Sequence, residues 1–554
     1  MPAVTADDFG VGQDSRRNAA VANANSLRLC SNGYVTNGKV CRKRPGCEED
    51  NTLETGTTGL YGALGKKHTF YHTGSITHAD TTYQANKIIG SIDPAQMTVG
   101  SGLNDMTSLG DYTGSANAVF TIEIDGTGSP DTFQWKKDSG AWTTGVAITG
   151  SAQTLQEGVQ VVFGATTGHT SGDTWTVQAR VITGIAKIHY ATVFSGAIYV
   201  VAEYSDGHVK HHYLDDSTPT WIEDLNCPNS KGVIKVQEKI FAIKSDGTVP
   251  FSASGLPRNW TLANDAGFLP VDQHQEQAEE PLALGKYQRN GLVVFFRSGA
   301  QLWNVDPDPN LHVYQQDLPE AHTQYPGSVI SFSGDLFYLG DEGIRSIGRK
   351  VLSEDLNEED VGSPIDKEVA EAIAAASSVD PITVRYQKLG RAMWLIGSKV
   401  FVYGFSRTVK ISPWAEWEFP WAIDDWANYQ GDLYLRSGDV VRKMNKDLYQ
   451  DDGASFRCKF WPPFLHAKTP GVHKQWNGFD IAGTGTAEVS FAWDPNDDSL
   501  VTSAVEVTGT TYEGEANPIG VQSASISPQI ENAANEEFQF DAITLYFENL
   551  TTVK

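Results

Sequence analysis

The sequence lacks the features that mark membrane proteins, disulfide-bonded proteins and helical proteins. No apolar run reaches the ~18 residues of a membrane span. Residues 1–10 lack the charged-then-apolar order of a secretory signal, which predicts synthesis in a cytoplasm. No CxxC pair occurs, so neither a disulfide framework nor a zinc knuckle is expected. The cysteines are predicted to be buried free thiols: Cys30, Cys41, Cys47, Cys227 and Cys458.

Positive charge is also scarce. The 554 residues include 42 Lys and Arg against 68 Asp and Glu, a net charge of −26, so the chain as a whole is not a nucleic-acid clamp. Residues 475–553 contain 13 acidic residues and neither Lys nor Arg. Basic residues are concentrated near the N-terminus instead, at Arg28, Lys39, Arg42, Lys43 and Arg44. Contact between these two oppositely charged segments is one hypothesis, and two solvated surfaces are the other.

Catalytic motifs are absent as well. The sequence contains no G-x-S-x-G, no phosphate-binding Walker loop and no H-E-x-x-H. The acidic runs do not match a calcium loop. We therefore expect neither an enzyme nor a resident metal or cofactor. The histidines lie in strand-like segments, where exposed hairpin positions are the preferred interpretation for His68, His72, His208, His211 and His212.

What the sequence does contain is a repeat. From about residue 186, apolar runs alternate with tight glycine turns spaced 40, 52, 44, 54 and 41 residues apart, at Gly207, Gly247, Gly299, Gly343, Gly397 and Gly438. A period of about 40–50 residues with several strands per unit is typical of β-propeller blades. The alternative is an irregular run of sandwich hairpins. The propeller is expected over 182–454, with its first strands in 61–111.

The remaining segments complete an all-β prediction. Alternating strands and Gly-Thr turns predict a small β-sandwich inserted at 112–181. Residues 455–554 are expected to form a C-terminal β-domain that packs with an N-terminal platform, residues 1–60. One short helix is predicted over 363–377, where Ser363 and Asp366 match a capping box.

A cluster of tryptophans follows the predicted helix. Trp414, Trp417, Trp421 and Trp426 lie within thirteen residues of one another. Aromatic side chains anchor interfaces and stack on sugars, but they also pack between blades. Packing is expected for some of them and an interface for at least one.

Short elements follow one another in a particular order along the chain: GVGQ (10–13), NGY (32–34), Gly38, RPG (44–46), DEGIRSIG (341–348), VGSPIDKEV (361–369), FSRTVKISPWAEWEFP (405–420) and LYLRSGDVV (433–441). In this order they resemble the tail nozzle proteins of short-tailed bacteriophages, also called tail tubular protein B. The resembling segments are scattered over most of residues 8–450, and the C-terminal hundred residues match only loosely. The insertion departs from that pattern and looks like a β-module found in phage structural proteins.

The resemblance implies a structural virion protein without catalysis, made in the host cytoplasm. Such a protein forms a homohexameric tube below the portal-adaptor, with tail fibres or spikes around it, and conducts genomic DNA toward the host cell envelope without binding it specifically. An acidic lumen would let the polyanion slide. The alternative function is a receptor-recognition tail protein that binds or cleaves carbohydrate.

The resemblance, the charge pattern and the tryptophan cluster together indicate two sets of candidate residues. Candidate adaptor or interface contacts are Arg42, Lys43, Arg44, Trp414, Trp417 and Trp421, of which the three basic residues are expected to be displayed at a stiff turn before Pro45. Candidate lumen acids are Glu354, Asp355, Glu358, Glu359 and Asp360.

Overall fold

The computed structural model describes residues 2–18, 20–71, 82–88, 92–181, 184–214, 220–222, 224–262, 265–275, 279–352 and 360–550. The fold is all-β, as predicted, with a propeller core, an inserted sandwich and a C-terminal β-domain. The N-terminal strands are β1 (Ala3–Ala6), β2 (Gly12–Gln13), β3 (Ser26–Leu27), β4 (Leu29–Ser31), β5 (Gly33–Val35), β6 (Cys41–Lys43) and β7 (Gly46–Thr52).

The first blade and the insertion follow. Blade one consists of β8 (Gly59–Ala63), β9 (Lys66–Tyr71) and β10 (Tyr83–Lys87). The insertion contains β11 (Gln96–Val99), β12 (Met106–Leu109), β13 (Ala118–Gly126), β14 (Thr132–Lys137), β15 (Thr143–Ala147), β16 (Gln153–Thr154), β17 (Gln160–Phe163) and β18 (Thr174–Ala179).

Six further blades continue the chain. Blade two is β19 (Ile185–Phe194), β20 (Ala197–Tyr204), β21 (Val209–Leu214) and β22 (Thr220–Trp221); blade three is β23 (Val233–Val236), β24 (Lys239–Ala242), β25 (Val249–Phe251) and β26 (Gly267–Leu269). Blade four is β27 (Ala283–Tyr287), β28 (Gly291–Phe295), β29 (Gly299–Asn304) and β30 (Val313–Pro319); blade five is β31 (Ile330–Phe332), β32 (Asp335–Gly340) and β33 (Gly343–Ser346), followed by helices α1 (Ile347–Leu352) and α2 (Asp366–Ala375). Blade six is β34 (Ile382–Tyr386), β35 (Arg391–Ile396), β36 (Lys399–Gly404) and β37 (Trp414–Glu418); blade seven begins with β38 (Asp425–Tyr429), β39 (Asp432–Ser437) and β40 (Val440–Asn445).

The C-terminal strands are β41 (Gln450–Asp451), β42 (Ala454–Ser455), β43 (Cys458–Trp461), β44 (Lys474–Thr484), β45 (Thr486–Ala492), β46 (Val505–Thr508), β47 (Asn517–Ser523), β48 (Ser527–Asn532) and β49 (Gln539–Asn549). Short 3-10 turns cover Val271–His274, Pro309–Leu311, Pro326–Ser328 and Ser363–Ile365. Within the described ranges, no helix is both long enough and apolar enough to cross a membrane.

The blades close into a ring by side-chain packing. In the described part of the chain there are seven blades, and every neighbouring pair, including seven and one, shares an apolar core. Leu60 of blade one, for example, packs with Tyr434 of blade seven. The first strand of each blade contacts the first strand of the next, so these strands form the wall of a central channel. The repeat glycines of the sequence lie in or beside the turns between second and third strands.

Both ends of the chain take part in closing the ring. Strand β7 pairs antiparallel with β40 and so supplies the fourth strand of blade seven. Strand β4 pairs with β37 of blade six and with β43 of the C-terminal region. The ring therefore cannot open at blade seven without breaking a strand pairing that spans almost 400 residues of sequence separation, as in Val441 with Asn51.

The terminal sandwich combines strands from both chain ends. One sheet has the order β47-β44-β49-β6-β5, with β1 also on β49, and the other continues from β4 through β43, β48, β45 and β46. Its core includes Phe9, Trp476 and Phe540, and it is continuous with the core between blades six and seven.

The inserted sandwich begins earlier than the sequence analysis predicted. Strands β11 and β12 pair with β18 and β17, and Ile92 and Met106 belong to its core. The predicted boundary at residue 112 is therefore wrong, and the sandwich spans about 92–181. Strands β11 and β12 are short and only weakly patterned, which is why the sequence did not reveal them.

The predicted helix is α2, but its start differs from the expected capping box. A 3-10 turn, Ser363–Ile365, precedes it, and the Ser363 hydroxyl donates to the Asp360 carbonyl at 2.8 Å. The Asp366 carboxylate binds the Arg345 guanidinium at 2.8 Å instead of the backbone. Val369 packs into the core between blades five and six, so the helix covers blade five. Helix α1 was not predicted.

Candidate functional site

The N-terminal segment 8–52, which we call the clasp, contacts blades six and seven, helix α2 and the terminal sandwich. Its centre is Arg44, whose side chain has no exposed surface. Its Nη1 and Nη2 donate to the two carboxylate oxygens of Asp451 at 3.0 and 2.5 Å. Its Nε donates to Asn32 Oδ1 at 3.0 Å, and further bonds reach the Pro45 and Glu418 carbonyls.

The guanidinium of Arg44 thus uses all five N–H donors, and it also lies 3.8 Å from the ring centroid of Phe456. A bidentate, fully hydrogen-bonded pair is the arrangement in which a buried charge is tolerated. Because Asn32, Glu418, Asp451 and Phe456 come from four different segments, this one side chain joins the clasp, blade six, the segment after blade seven and the start of the terminal sandwich.

Lys43 and Arg42 extend the contact to the C-terminal region. Lys43 is buried, and its Nζ donates to Asn532 Oδ1 at 2.8 Å and to the Ala534 carbonyl at 2.7 Å. Burial lowers the pKa of Lys43. Arg42 is 38% exposed and forms an ion pair with Glu537 at 3.1 Å. The expectation of a displayed basic turn is wrong for Lys43 and Arg44, because the turn folds inward beneath the C-terminal strands.

The hypothesis of contact between the two charged segments is confirmed. Besides the pair of Arg42 with Glu537, Arg28 of the basic segment pairs with Asp498 of the acidic one at 2.5 Å. Arg28 also lies 5.0 Å from the ring centroid of Trp461. The contact is made inside one chain, where it joins the clasp to the terminal sandwich.

Glycines of the clasp lie where backbone elements approach most closely. Gly12 has a φ of +72°, and an added Cβ would come within 2.6 Å of Trp414 N. At Gly33 it would come within 2.4 Å of the Phe460 ring, and at Gly46 within 2.1 Å of the Gln450 carbonyl oxygen. Each glycine belongs to one of the short elements GVGQ, NGY and RPG. These elements are therefore required by the packing of the clasp.

The clasp also binds helix α2. The Ser15 backbone N–H donates to the Pro364 carbonyl at 2.9 Å, and the Ser15 hydroxyl donates to Glu368 Oε2 at 2.7 Å. Burial raises the pKa of Glu368. Residues 361–369 and 412–414, which are remote in sequence, thus meet residues 10–16 at one surface.

Two of the three candidate interface tryptophans are core residues. Trp414 is buried between blades five and six, and its Nε1 donates to the Val361 carbonyl at 2.7 Å. Trp417 is buried, and its Nε1 donates to the Gly33 carbonyl at 2.6 Å. As candidate contacts to another protein, these two are wrong, because packing within the chain covers them. Trp421 is half-buried beside the Arg442 guanidinium, at 4.0 Å.

The candidate lumen acids are only partly within the described structure. Glu354, Asp355, Glu358 and Glu359 lie outside the described residues. Asp360 is 9% exposed, and its Oδ1 accepts from the Val361 N–H at 2.6 Å. Asp360 is therefore not available to line a lumen, because its carboxylate is turned into the start of the α2 region.

The buried thiols are confirmed, since all five cysteines are buried and free. The histidine interpretation is wrong for three residues. His68, His211 and His212 are buried, and His211 Nδ1 lies 2.6 Å from the Tyr199 hydroxyl and 3.4 Å from Cys227 Sγ. His72 lies outside the described residues. Among the residues that the structure describes, no group of three His, Cys, Asp or Glu side chains is arranged to hold a metal ion.

A polar cavity of about 430 Å³ opens at the clasp, between blade six and the terminal sandwich. Its charged side chains are mostly paired: Lys399 Nζ lies 2.9 Å from Glu416 Oε2, and Arg457 binds Glu488 and Glu531. Leu29, Ser31, Asn32, Glu418 and Lys459 complete the lining. Three of its five charged lining residues, Lys399, Glu416 and Arg457, are thus held in ion pairs.

The fold and the clasp define a class of protein: a seven-bladed propeller closed by its own N-terminus and joined to a terminal sandwich. No family model matches the chain, and no curated protein matches it. Solved structures that are similar to parts of it include the allergen Mala s 1 of Malassezia sympodialis, with 12% identity over 46% of this chain and 92% of that one and a TM-score of 0.29. BamB from Moraxella catarrhalis has 10% identity, coverage of 64% and 98%, and a TM-score of 0.29. The Neurospora crassa Pan2 WD40 domain has 8% identity, coverage of 58% and 88%, and a TM-score of 0.30.

Proposed function

We propose that this chain is a structural component of a short-tailed phage tail. It forms a homohexameric nozzle that attaches below the portal-adaptor and conducts DNA during ejection, with tail fibres or spikes around it and the host envelope below. No catalytic step and no resident cofactor belong to the proposal. The proposed location of the protein is the virion.

One observation carries the proposal. Several of the short elements whose order resembles the nozzle family meet at the clasp: Gly12 touches Pro413 and Trp414, Trp417 donates to the Gly33 carbonyl, and Arg44 is bound by Asn32. Elements that are far apart in sequence and matched separately therefore belong to one structural unit. A chance match of short turns would have no reason to select mutually contacting residues.

The charge distribution supports the conduit role. Net charge −26 per chain opposes phosphate contacts, which would hold DNA in place during passage. A ring assembled from identical chains uses head-to-tail contacts that close on themselves. The clasp offers a rigid base for such contacts, because it joins the propeller to the terminal sandwich through buried hydrogen bonds.

Electron microscopy of the purified full chain tests the proposal, with mass photometry of the same sample and of the chain bound in virions. We expect a six-fold ring with a central channel. A protein that is monomeric in both settings would overturn the proposal. Two charge reversals locate the contact surface between subunits. Arg42→Glu changes a residue of the clasp whose side chain is 38% exposed, and Lys367→Glu changes an exposed residue of α2.

The carbohydrate alternative retains less structural support. Two residues of the tryptophan cluster, Trp414 and Trp417, are buried and so cannot stack on a sugar. The inserted sandwich, in contrast, presents Trp142 at 36% exposure, with Lys136 Nζ 4.7 Å from its ring centroid. A monomeric chain that binds a glycan array through Trp142 would favour this alternative over the nozzle.

A further inference from the structure

The wall of the propeller channel has a layer of residues that occupy equivalent positions. The next-to-last residue of each first strand, in blade order, is Gly62, Val193, Lys235, Lys286, Ser331, Arg385 and Asn428. All seven are half-buried or exposed. They stand at the end of the channel where each first strand turns into the second, which we call the mouth.

Direct contacts show that these positions lie at one level. Lys235 Nζ donates to the Val193 carbonyl at 2.8 Å, and the Ser331 hydroxyl donates to the Lys286 carbonyl. A Cβ at Gly62 would overlap the Asn428 carbonyl oxygen. The Arg385 guanidinium lies 5.9 Å from the ring of Phe332, the neighbour of Ser331. The seven residues therefore form one ring around the mouth, in which neighbouring blades contact each other at the same level.

Three members of this ring are cations, and they come from blades three, four and six. In the described part of the chain, Lys235, Lys286 and Arg385 form no ion pair with a carboxylate. One acid, Glu238 in the turn after β23, acts electrostatically on Lys235 without forming an ion pair with it. Lys187, on the first strand of blade two, is different, because it forms an ion pair with Asp380.

The first two cations also act on each other. Burial, and after it the positive charge of Lys286, lowers the pKa of Lys235. The two ammonium groups are therefore near enough to repel each other, although Glu238 partly offsets this effect at Lys235. Other charges at this end are Arg289, in the turn after β27, and Lys388, which is neutralised by Asp432.

We propose that the mouth of the propeller channel binds a small multivalent anion that carries phosphoryl groups, held by Lys235, Lys286 and Arg385, with the Ser331 hydroxyl at the same level. Lys and Arg are the usual ligands of such anions. A long polyanion is disfavoured, because the net charge of −26 repels the parts that extend beyond the mouth. A small anion lies within a screening length of ~8–10 Å of the local cations and escapes most of that repulsion.

The test uses the full chain and tripolyphosphate as the probe, with isothermal titration calorimetry at low salt. We expect saturable binding of one anion per chain that weakens as salt is raised. The variant Lys235→Gln/Lys286→Gln/Arg385→Gln should bind at least about tenfold more weakly, because it removes all three charges that attract the anion at short range.

A matched control removes three exposed cations that are not part of the ring: Arg297→Gln/Lys367→Gln/Arg407→Gln. It changes the net charge by the same amount and should bind like the parent chain. Equal losses in both triple variants would mean that total charge alone governs binding, which overturns the site. Absence of tripolyphosphate binding to the parent chain also overturns it. A DNA duplex that competes better than tripolyphosphate for the three cations would overturn the choice of a small anion.

Thermal unfolding checks that the mouth variant is folded. If its midpoint equals that of the control, a loss of binding reports on the site itself. If it is lower, single variants at Arg385, which is exposed, replace the triple variant, and an unchanged affinity in Arg385→Gln then contradicts the proposal. The proposal does not depend on ring assembly, so it can fail while the nozzle function stands.

Discussion

The two β-sandwiches of this chain are built in opposite ways. The inserted sandwich takes strands β11 to β18 from residues 92–181 and encloses a core of its own. The terminal sandwich takes strands from both chain ends, and its core is continuous with that of blades six and seven. The first depends on contacts that are local in sequence. The second can form only when the chain ends have met, so it depends on contacts of very large sequence separation.

The comparison also explains where polar groups are buried. In the inserted sandwich, buried His169 bonds through its two ring nitrogens to Asp105 and Asp131, each at 3.0 Å, all within the module. In the terminal sandwich, the hydrogen-bond partners of Lys43 are Asn532 and Ala534, several hundred positions away. Arg44 has local bonds to Asn32 and Pro45, but its carboxylate partner, Asp451, is also several hundred positions away. A module with internal partners can be removed as a unit, whereas a closure with distant partners cannot.

Deletions test this difference most directly. Removing residues 92–181 should leave a folded propeller, because blades one and two keep their shared core. Removing residues 2–52 should abolish folding, because blade seven loses β7 and the terminal sandwich loses four strands. Soluble yield and far-UV circular dichroism measure both. Aggregation of the first variant together with normal folding of the second would reverse the comparison.

Arg44→Met tests the closure at a single residue. Removing one partner of a buried ion pair leaves Asp451 uncompensated, and we expect a loss of about 3–5 kcal/mol in the free energy of unfolding. Arg42→Ala is the control, since this residue is 38% exposed and its ion pair should contribute only about 0–1 kcal/mol. Urea unfolding followed by tryptophan fluorescence measures both. Similar effects of the two variants would show that Arg44 is not the centre of the clasp.

Acid should act on the propeller before it acts on either sandwich. Burial lowers the pKa of His211 to about 4, from an ordinary value of 6.5. The folded state therefore holds this imidazole neutral, and the unfolded chain takes up the proton more readily. The contribution of neutral His211 to the free energy of unfolding is therefore fully present above pH 6.5. It is lost as the pH drops toward 4, which lowers the free energy of unfolding by about 3 kcal/mol.

The measurement is the unfolding midpoint between pH 7 and pH 4 in the parent chain, in His211→Gln and in the chain lacking residues 92–181. The pH dependence should persist in the deletion variant and become weaker in His211→Gln, while His312, whose pKa burial also lowers to about 4, keeps its own contribution. A pH dependence that disappears with the insertion would place the acid-sensitive group in the inserted sandwich instead.

Gly46→Ala is expected to have the smallest of these effects. Its Cβ would meet the Gln450 carbonyl oxygen at 2.1 Å, so the backbone must shift, at a cost of about 1–3 kcal/mol. Gly184→Ala, just after the insertion, is a matched control because an added Cβ there meets nothing within 4 Å. Thermal unfolding compares the two. Equal midpoints would show that the clasp can relax around the added methyl group.

Much of the fold could be predicted from the sequence, because its signals are local. The glycine turns near Gly207, Gly247 and Gly438 recur with the spacing of blades, and the structure places them between second and third strands. The start of the inserted sandwich could not be predicted, because β11 and β12 are short and gain their stability from pairing with β18 and β17.

The candidate site was harder to predict. The sequence showed that Arg42, Lys43 and Arg44 form a basic cluster, and charge alone favoured an exposed position. Their burial depends on Asp451, Asn532 and the ring of Phe456, whose proximity no sequence spacing indicates. The tryptophans were ambiguous for the same reason, since an aromatic side chain suits a core and an interface equally well.

The sequence by itself determined the all-β class, the blade repeat, the short helix and the opposite charge of the two chain ends. Each of these follows from residue type and short-range periodicity, which act on the backbone directly. Only the tertiary structure decided that seven blades close with β7, that the basic cluster is buried, and that Lys235, Lys286 and Arg385 share one ring. Those outcomes require side chains from distant segments to meet, and the pairing of distant segments is set by packing of the whole chain.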